Sequence, residues 1–156
     1  MTMLNPHTPM DILLIEDRSE DIQMVEEAIS RTKLSNRMIV AKKPAEALMY
    51  LRQCVAVGPM DEEEVDHHGP GLILLDVNME EHSGLDVLHD LRTDPKLMAI
   101  PIVILTNSLD ETDLACTMAH GVTGYFLKPM DAQQLRKVVK DVEEHWNLLA
   151  AAPCAN

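Results

Sequence analysis

Five short, largely apolar runs constrain the fold more than any other feature of the sequence. They are residues 11–16, 37–41, 71–76, 101–106 and 125–128. Each run is too short for a buried helix and fits a strand whose two faces are both covered. Helical patterns separate the runs, and alternating strands and helices favour parallel strands joined by right-handed crossovers. The sequence therefore predicts an open α/β sheet.

Five helices are predicted from apolar residues spaced three or four positions apart and from residues typical of helix ends. Ser19 and Asp131 are the predicted N-caps of the first and fifth helices. Pro44 lies in the first turn of the second helix, the third ends before Pro95, and Gly121 stops the fourth. The helices are marked by Ile22, Val25 and Ile29; by Leu48 and Leu51; by Leu85, Leu88 and Leu91; by residues 110–119; and by Leu135, Val138, Val142 and Trp146.

The length of 156 residues favours one domain. We assign residues 10–147 to it, with terminal extensions at 1–9 and 148–156 and no effector domain. The polar segment between Cys54 and Gly71 is predicted to be an exposed loop. Its pair His67-His68 could bind a transition metal, although a solvated loop is the simpler interpretation.

The net charge limits the classes of binding partner that the protein can have, and the cysteine pattern indicates its cellular compartment. The net charge of −13 argues against binding to nucleic acid or to a membrane surface, because both are anionic. The three cysteines are scattered without a Cys-x-x-Cys spacing, which is typical of reduced thiols. No apolar run approaches the length of a membrane-spanning helix. We therefore expect a cytoplasmic protein.

Polar residues follow four of the five predicted strands. Glu16 and Asp17 end the first strand, Asp76 the third, Thr106 the fourth and Lys128 the fifth. The carboxyl ends of parallel strands meet at one edge of the sheet, where ligands of open α/β sheets bind. Three adjacent carboxylates repel one another, and a hard cation such as Mg²⁺ relieves that repulsion.

This set of residues suits phosphoryl transfer. Mg²⁺, an ammonium group and a hydroxyl group can together stabilise a transferring phosphoryl group. A carboxylate beside the metal could itself be the nucleophile and form an aspartyl phosphate. Taken singly, each of these residues is more often a helix cap or a solvated surface residue, and only their shared location favours a site.

The sequence resembles the receiver domains of two-component response regulators. The matching segments are Ile15-Glu16-Asp17, Leu75 to Met79 followed by Gly84, Leu105-Thr106 and Lys128-Pro129. The resemblance covers about residues 10–147 and implies a flavodoxin-like, doubly wound sheet of five parallel strands in the order 2-1-3-4-5. The long loop before the third strand, Thr106 to Ser108 and Trp146 resemble the single-domain regulators paired with phytochrome-type sensor kinases.

The resemblance implies a role for each matching residue at the acidic edge. Asp76 would be the phosphoacceptor. Asp17 would bind Mg²⁺ directly, Glu16 would act through water, and the backbone carbonyl of Asn78 would be a further ligand.

The same resemblance implies the switching residues. Lys128 would contact the phosphoryl group and Asp76, while Thr106 would move towards a phosphoryl oxygen. Tyr125 occupies the position of the family's switch aromatic residue, although it could equally be a core or edge aromatic residue. The Lys128–Pro129 peptide bond would be cis.

Two residues depart from the family pattern, and both bear on the lifetime of a phosphorylated state. Glu80 replaces a frequent proline, and Asn107 replaces a frequent small residue.

A sensor histidine kinase is the expected partner. The output would pass through partner proteins, through onward transfer of the phosphoryl group, or through a homodimer formed by the fourth helix, the fifth strand and the fifth helix. Trp146 could extend that surface or simply cap the core.

Two other classes of function are less favoured. An aspartate-nucleophile phosphatase of the haloacid dehalogenase type needs Asp-x-Asp, whereas Asp76-Val77-Asn78 lacks the second acid. A flavodoxin-like flavin binder needs a phosphate-binding loop after the first strand, where Glu16-Asp17 would repel a phosphate.

Overall fold

The computed structural model describes residues 9–56, 69–79, 84–107 and 121–151, without the side chains of 55–56 and 147–151. Strands and helices alternate as predicted among the described residues from 12 to 106, and a further strand and helix lie within residues 121–151. The elements are β1 (Ile12–Ile15), α1 (Ser19–Thr32), β2 (Met38–Ala41), α2 (Pro44–Ala56), β3 (Leu72–Asp76), α3 (Gly84–Thr93), β4 (Ile102–Thr106), β5 (Gly124–Leu127) and α4 (Ala132–Ala151).

The five strands form one sheet in the order β2-β1-β3-β4-β5, and every neighbouring pair is parallel. This confirms the predicted fold. Each strand end lies within one residue of its predicted position. The predicted fourth helix, residues 110–119, lies outside the described residues, so the predicted fifth helix is α4 of the structure.

Two apolar layers, one on each face of the sheet, explain why the strands are apolar throughout. Ile12 and Leu14 of β1 face the layer that α1 and α4 cover, and Leu13 and Ile15 face the layer that α2 and α3 cover. Successive side chains of a strand point to opposite faces, so a sheet covered on both sides requires apolar residues at every position. This burial places the polar residues at the ends of the strands.

The predicted cap of α1 is wrong, whereas that of α4 is confirmed. Ser19 is the first helical residue, and the N-cap is Arg18, which makes no side-chain capping hydrogen bond. The carboxylate of Glu16 organises this turn instead, because its Oε1 accepts hydrogen bonds from the backbone N–H groups of Asp17 (3.0 Å) and Arg18 (3.1 Å). At α4, Asp131 Oδ1 accepts a hydrogen bond from the Gln133 N–H at 2.8 Å.

Trp146 closes the core at the amino-terminal ends of the strands. Its partly buried ring packs against the layer under α1 and α4, and its Nε1–H donates to the Gly71 carbonyl oxygen at 2.8 Å. Nearby, Glu143 Oε2 accepts hydrogen bonds from the Met10 N–H and the Asn36 side-chain amide. The contacts of Trp146 therefore favour the core-capping interpretation over an extension of a dimer surface.

Replacing Trp146 with phenylalanine is expected to lower the free energy of unfolding by about 1–2 kcal/mol, because the buried Gly71 carbonyl loses its indole donor. Urea denaturation measures the change. Tyr125→Phe, which removes a polar atom from an exposed ring, is the matched control and should change stability by less than about 0.5 kcal/mol. Equal midpoints for wild type and Trp146→Phe would contradict this role.

Among the helices that the structure describes, none is long and apolar enough to cross a lipid bilayer. Several predictions fall outside the described ranges and stay predictions. They concern His67, His68, Glu80 and Ser108.

Candidate functional site

The polar residues that follow the strands come together at the carboxyl-terminal edge of the sheet. Glu16 follows β1, Asp76 ends β3, Thr106 ends β4 and Lys128 follows β5. The strand register brings these residues to similar heights along the sheet, because Asp76 pairs with Leu105, the residue before Thr106, and Thr106 pairs with Leu127, the residue before Lys128. The parallel sheet therefore gathers residues far apart in sequence at one site.

Three carboxylates form an acidic cluster that we define as Glu16, Asp17 and Asp76. One oxygen of each lies within 4.8 Å of the others. Glu16 and Asp76 are fully buried, and Asp17 is partly buried. Asp76 Oδ2 is buried and receives no hydrogen bond from the residues that the structure describes. Three carboxylate oxygens held this close, one of them buried without a hydrogen bond, fit a hard divalent cation such as Mg²⁺.

Lys128 balances much of this negative charge. Its ammonium Nζ lies 3.1 Å from Glu16 Oε2, 3.3 Å from Asp76 Oδ2 and 2.6 Å from Asp21 Oδ2. The lysine side chain is only 7% exposed. Lys128 is therefore held at Asp76, and Asp21 is a third partner that the sequence pattern does not predict.

The charges and burial around the acidic cluster shift the pKa values of Glu16 and Lys128. Burial, and then the nearby carboxylate of Asp76, raises the pKa of Glu16 from 4.5 to about 7. Burial lowers the pKa of Lys128, but Asp21, Asp76 and Glu16 outweigh burial, so the pKa of Lys128 is raised overall. The lysine therefore stays charged, while Glu16 gains a proton near neutral pH.

The raised pKa of Glu16 predicts that stability falls as pH rises. Between pH 4.5 and about 7 the folded chain retains a proton that the unfolded chain has released. The contribution of Glu16 is thus fully present below pH 4.5 and is lost as pH rises through about 7. Urea denaturation in EDTA across this range should show a shallower decline for Glu16→Gln than for wild type. Parallel curves for the two proteins would contradict the assignment.

Asn78 links Asp76 to the end of β4. Its backbone N–H donates to Asp76 Oδ1 at 2.8 Å. Its side-chain Oδ1 accepts hydrogen bonds from Thr106 Oγ1 at 3.1 Å and from the Asn107 N–H at 2.9 Å. The family resemblance implies a role only for the backbone carbonyl of Asn78, because a spacing pattern does not reveal which atoms a side-chain amide will contact.

Tyr125 lies on the edge strand β5 and is 44% exposed. Beside it, Leu127 is also exposed, and both line a shallow groove with Gln134, Lys137 and Val138 of α4. Tyr125 is therefore an edge residue rather than a core residue. The Lys128–Pro129 peptide bond that follows β5 is cis.

The absence of a side chain at Gly84 allows the backbone of Asp76 and Val77 to approach the start of α3 closely. A Cβ atom at this position would lie 2.4 Å from Val77 Cα and 2.6 Å from the Asp76 carbonyl oxygen. Both contacts are with backbone, which cannot rotate away as a side chain can. The first residue of α3 therefore packs directly against the segment that carries Asp76.

Comparison with known proteins agrees with this geometry. Residues 12–140 match the response regulator receiver domain family. The response regulator Rcp1 of Synechocystis sp. is 30% identical over 147 residues, which are 94% of this chain and 95% of that protein.

Two solved structures are similar along most of their length. The phosphorylated cyanobacterial phytochrome response regulator RcpA is 32% identical, with a TM-score of 0.66, over 96% of this chain and 100% of that one. The Mn²⁺-bound form of Rcp1 is 31% identical, with a TM-score of 0.64, over 88% of this chain and 94% of that one. The chain belongs to the response regulator receiver domain family.

Proposed function

We propose that this receiver domain is a phosphorylation switch and that Asp76 is its phosphoacceptor. The observation that carries the proposal is the buried Asp76 Oδ2, which lies 3.3 Å from the Lys128 ammonium beside two further acids. A carboxylate oxygen of Asp76 would attack the phosphorus atom of a phosphohistidine. The new O–P bond would form as the P–N bond breaks, and the imidazole would leave as a neutral ring that keeps the proton already on its other nitrogen.

The acidic cluster would hold Mg²⁺ through Asp17 and Asp76, with Glu16 acting through water and the Asn78 carbonyl oxygen as a further ligand. The oxygen-rich donor set and the Mn²⁺-bound form of the relative Rcp1 support this assignment. Bound Mg²⁺ would supply positive charge for the oxygens of the incoming phosphoryl group.

The remaining residues would convert phosphorylation into a change of surface. Lys128 would contact a phosphoryl oxygen, and Thr106 would leave Asn78 to donate its hydroxyl to the same group. The space that Thr106 leaves on β4 would admit Tyr125 of the neighbouring edge strand β5. Such a shift follows only from the different contacts that the phosphoryl group makes in the two states.

A sensor histidine kinase is the proposed phosphodonor, and the phytochrome response regulator RcpA supports a phytochrome-type kinase. We infer a cytoplasmic signalling domain over residues 10–147, with terminal extensions and output through protein partners rather than turnover of a substrate. The surface of β5 and α4, together with residues 110–119, would serve a homodimer or the kinase. The charge of −13 disfavours nucleic acid and membranes as partners.

Intact-mass measurement tests the proposal. Wild type incubated with acetyl phosphate and Mg²⁺ should gain the mass of one phosphoryl group, and EDTA should prevent the gain. Asp76→Asn, which preserves the shape but removes the nucleophile, should gain nothing. Repeated release of inorganic phosphate from phosphate monoesters, without a phosphorylated protein, would instead favour a phosphatase and overturn the proposal.

A further inference from the structure

Asp21 makes the shortest contact with the lysine of the site. It lies in the first turn of α1, and its Oδ2 is 2.6 Å from Lys128 Nζ. The side chain of Asp21 is 21% exposed, whereas the other two carboxylates that contact the lysine are fully buried. Asp21 therefore restrains Lys128 from the outer side of the site.

The acidic cluster and the carboxylates around the lysine overlap only in part. Glu16 and Asp76 contact Lys128 and also belong to the cluster that fits a cation, so a bound cation would compete with the lysine for their oxygens. Asp21 does not belong to that cluster. It is thus the one carboxylate among the lysine's described partners that a cation at the cluster leaves in place.

A lysine needs such a restraint because its side chain is long and flexible. The side chain samples many rotamers when unrestrained, and its ammonium has three N–H donors to satisfy. With Glu16 and Asp76 engaged by a cation, the remaining charged contact fixes where Nζ rests. Displacement of a charge-stabilising group by even about 1 Å lowers reaction rates substantially.

We propose that Asp21 is a positioning residue that keeps the Lys128 ammonium beside Asp76 for phosphoryl transfer. This inference rests on the proposed function. It assigns the role to a residue outside both the metal-binding set and the switching set described above. The positioning role of Asp21 requires Lys128. An effect of its negative charge alone would persist without Lys128, so the two effects can be distinguished.

Asp21→Asn tests the proposal, and Glu20→Gln is the matched control. Glu20 lies in the same turn of α1, carries the same charge and is exposed. Asp21→Asn should slow phosphorylation by acetyl phosphate on the order of tenfold, whereas Glu20→Gln should change the rate less than about twofold. Thermal melts of both variants verify that they fold.

The double variant separates positioning from electrostatic repulsion. In a Lys128→Ala background, Asp21→Asn should alter the rate less than about twofold, because the group it positions is gone. An equal effect of Asp21→Asn with and without Lys128 would overturn the inference, and so would equal rates for Asp21→Asn and wild type.

A readout on the unphosphorylated protein keeps this inference distinct from the proposed function. In NMR spectra of the lysine ammonium groups recorded with saturating Mg²⁺, which engages Glu16 and Asp76, Lys128 should give a sharp, exchange-protected signal that Glu20→Gln retains and Asp21→Asn loses. Retention of that signal in Asp21→Asn would overturn the positioning role even if wild type is phosphorylated. Failure of wild type to accept a phosphoryl group would overturn the proposed function, and the ammonium signal would still report on the contact.

Discussion

Lys128→Ala is expected to lower the free energy of unfolding by about 3 kcal/mol in the absence of divalent cations. The lysine is nearly buried and contacts Glu16, Asp21 and Asp76. Its removal leaves buried carboxylates without their counter-charge. An uncompensated buried charge destabilises a folded protein more than the loss of a whole ion pair does. Mg²⁺ should therefore stabilise Lys128→Ala more than it stabilises wild type, because the cation replaces the missing positive charge.

Urea denaturation with EDTA and with Mg²⁺ measures both effects. Lys137→Ala is the matched control, since Lys137 is 80% exposed and pairs only with Asp141 along α4 among its described contacts. An exposed pair of this kind contributes less than about 1 kcal/mol. A loss for Lys128→Ala no larger than that for Lys137→Ala would contradict the electrostatic description of the site.

Gly84→Ala is expected to disturb both the fold and the chemistry. The added Cβ would lie 2.4 Å from Val77 Cα and 2.6 Å from the Asp76 carbonyl oxygen, so the backbone itself must move. Overpacking of this kind costs about 1–3 kcal/mol. The movement also displaces the segment that carries Asp76, so phosphorylation by acetyl phosphate should slow by on the order of tenfold.

Gly124→Ala supplies the control within the same sheet. A Cβ atom at Gly124 would meet no heavy atom within 4 Å, so the substitution should be close to neutral. Stability is measured by urea denaturation and phosphorylation by intact mass. If Gly84→Ala matched Gly124→Ala in both measurements, the close packing of α3 against the Asp76 segment would be wrong.

The fold was predictable because a strand that is buried on both faces can contain almost only apolar residues, and such runs are visible in the sequence. Strands covered on both faces must be apolar, and runs such as residues 72–75 are fully buried in the structure. Polar side chains are then confined to the strand ends, so the sequence alone marks Glu16, Asp76 and Thr106 as candidate site residues. Parallel pairing places those ends together, so the location of the site followed from the fold.

The partners of individual side chains were less predictable. Asp21 reaches Lys128 across more than a hundred residues of sequence, and an acid in the first turn of a helix usually serves only the helix dipole. The turn into α1 is organised by Glu16 rather than by Ser19, because the buried carboxylate lies within reach of two backbone N–H groups. Which partner a polar side chain contacts depends on its rotamer and its burial, and the spacing of residues in the sequence specifies neither.

Chemical trapping of the phosphorylated protein tests the central claim most directly. Borohydride reduces an acyl phosphate to an alcohol and releases phosphate, so an aspartyl phosphate becomes homoserine. After incubation with acetyl phosphate and Mg²⁺, peptide mass spectrometry should find homoserine at position 76 and at no other position. Homoserine at position 17, or a phosphoryl group on a histidine with position 76 unchanged, would contradict the assignment of Asp76 as the phosphoacceptor.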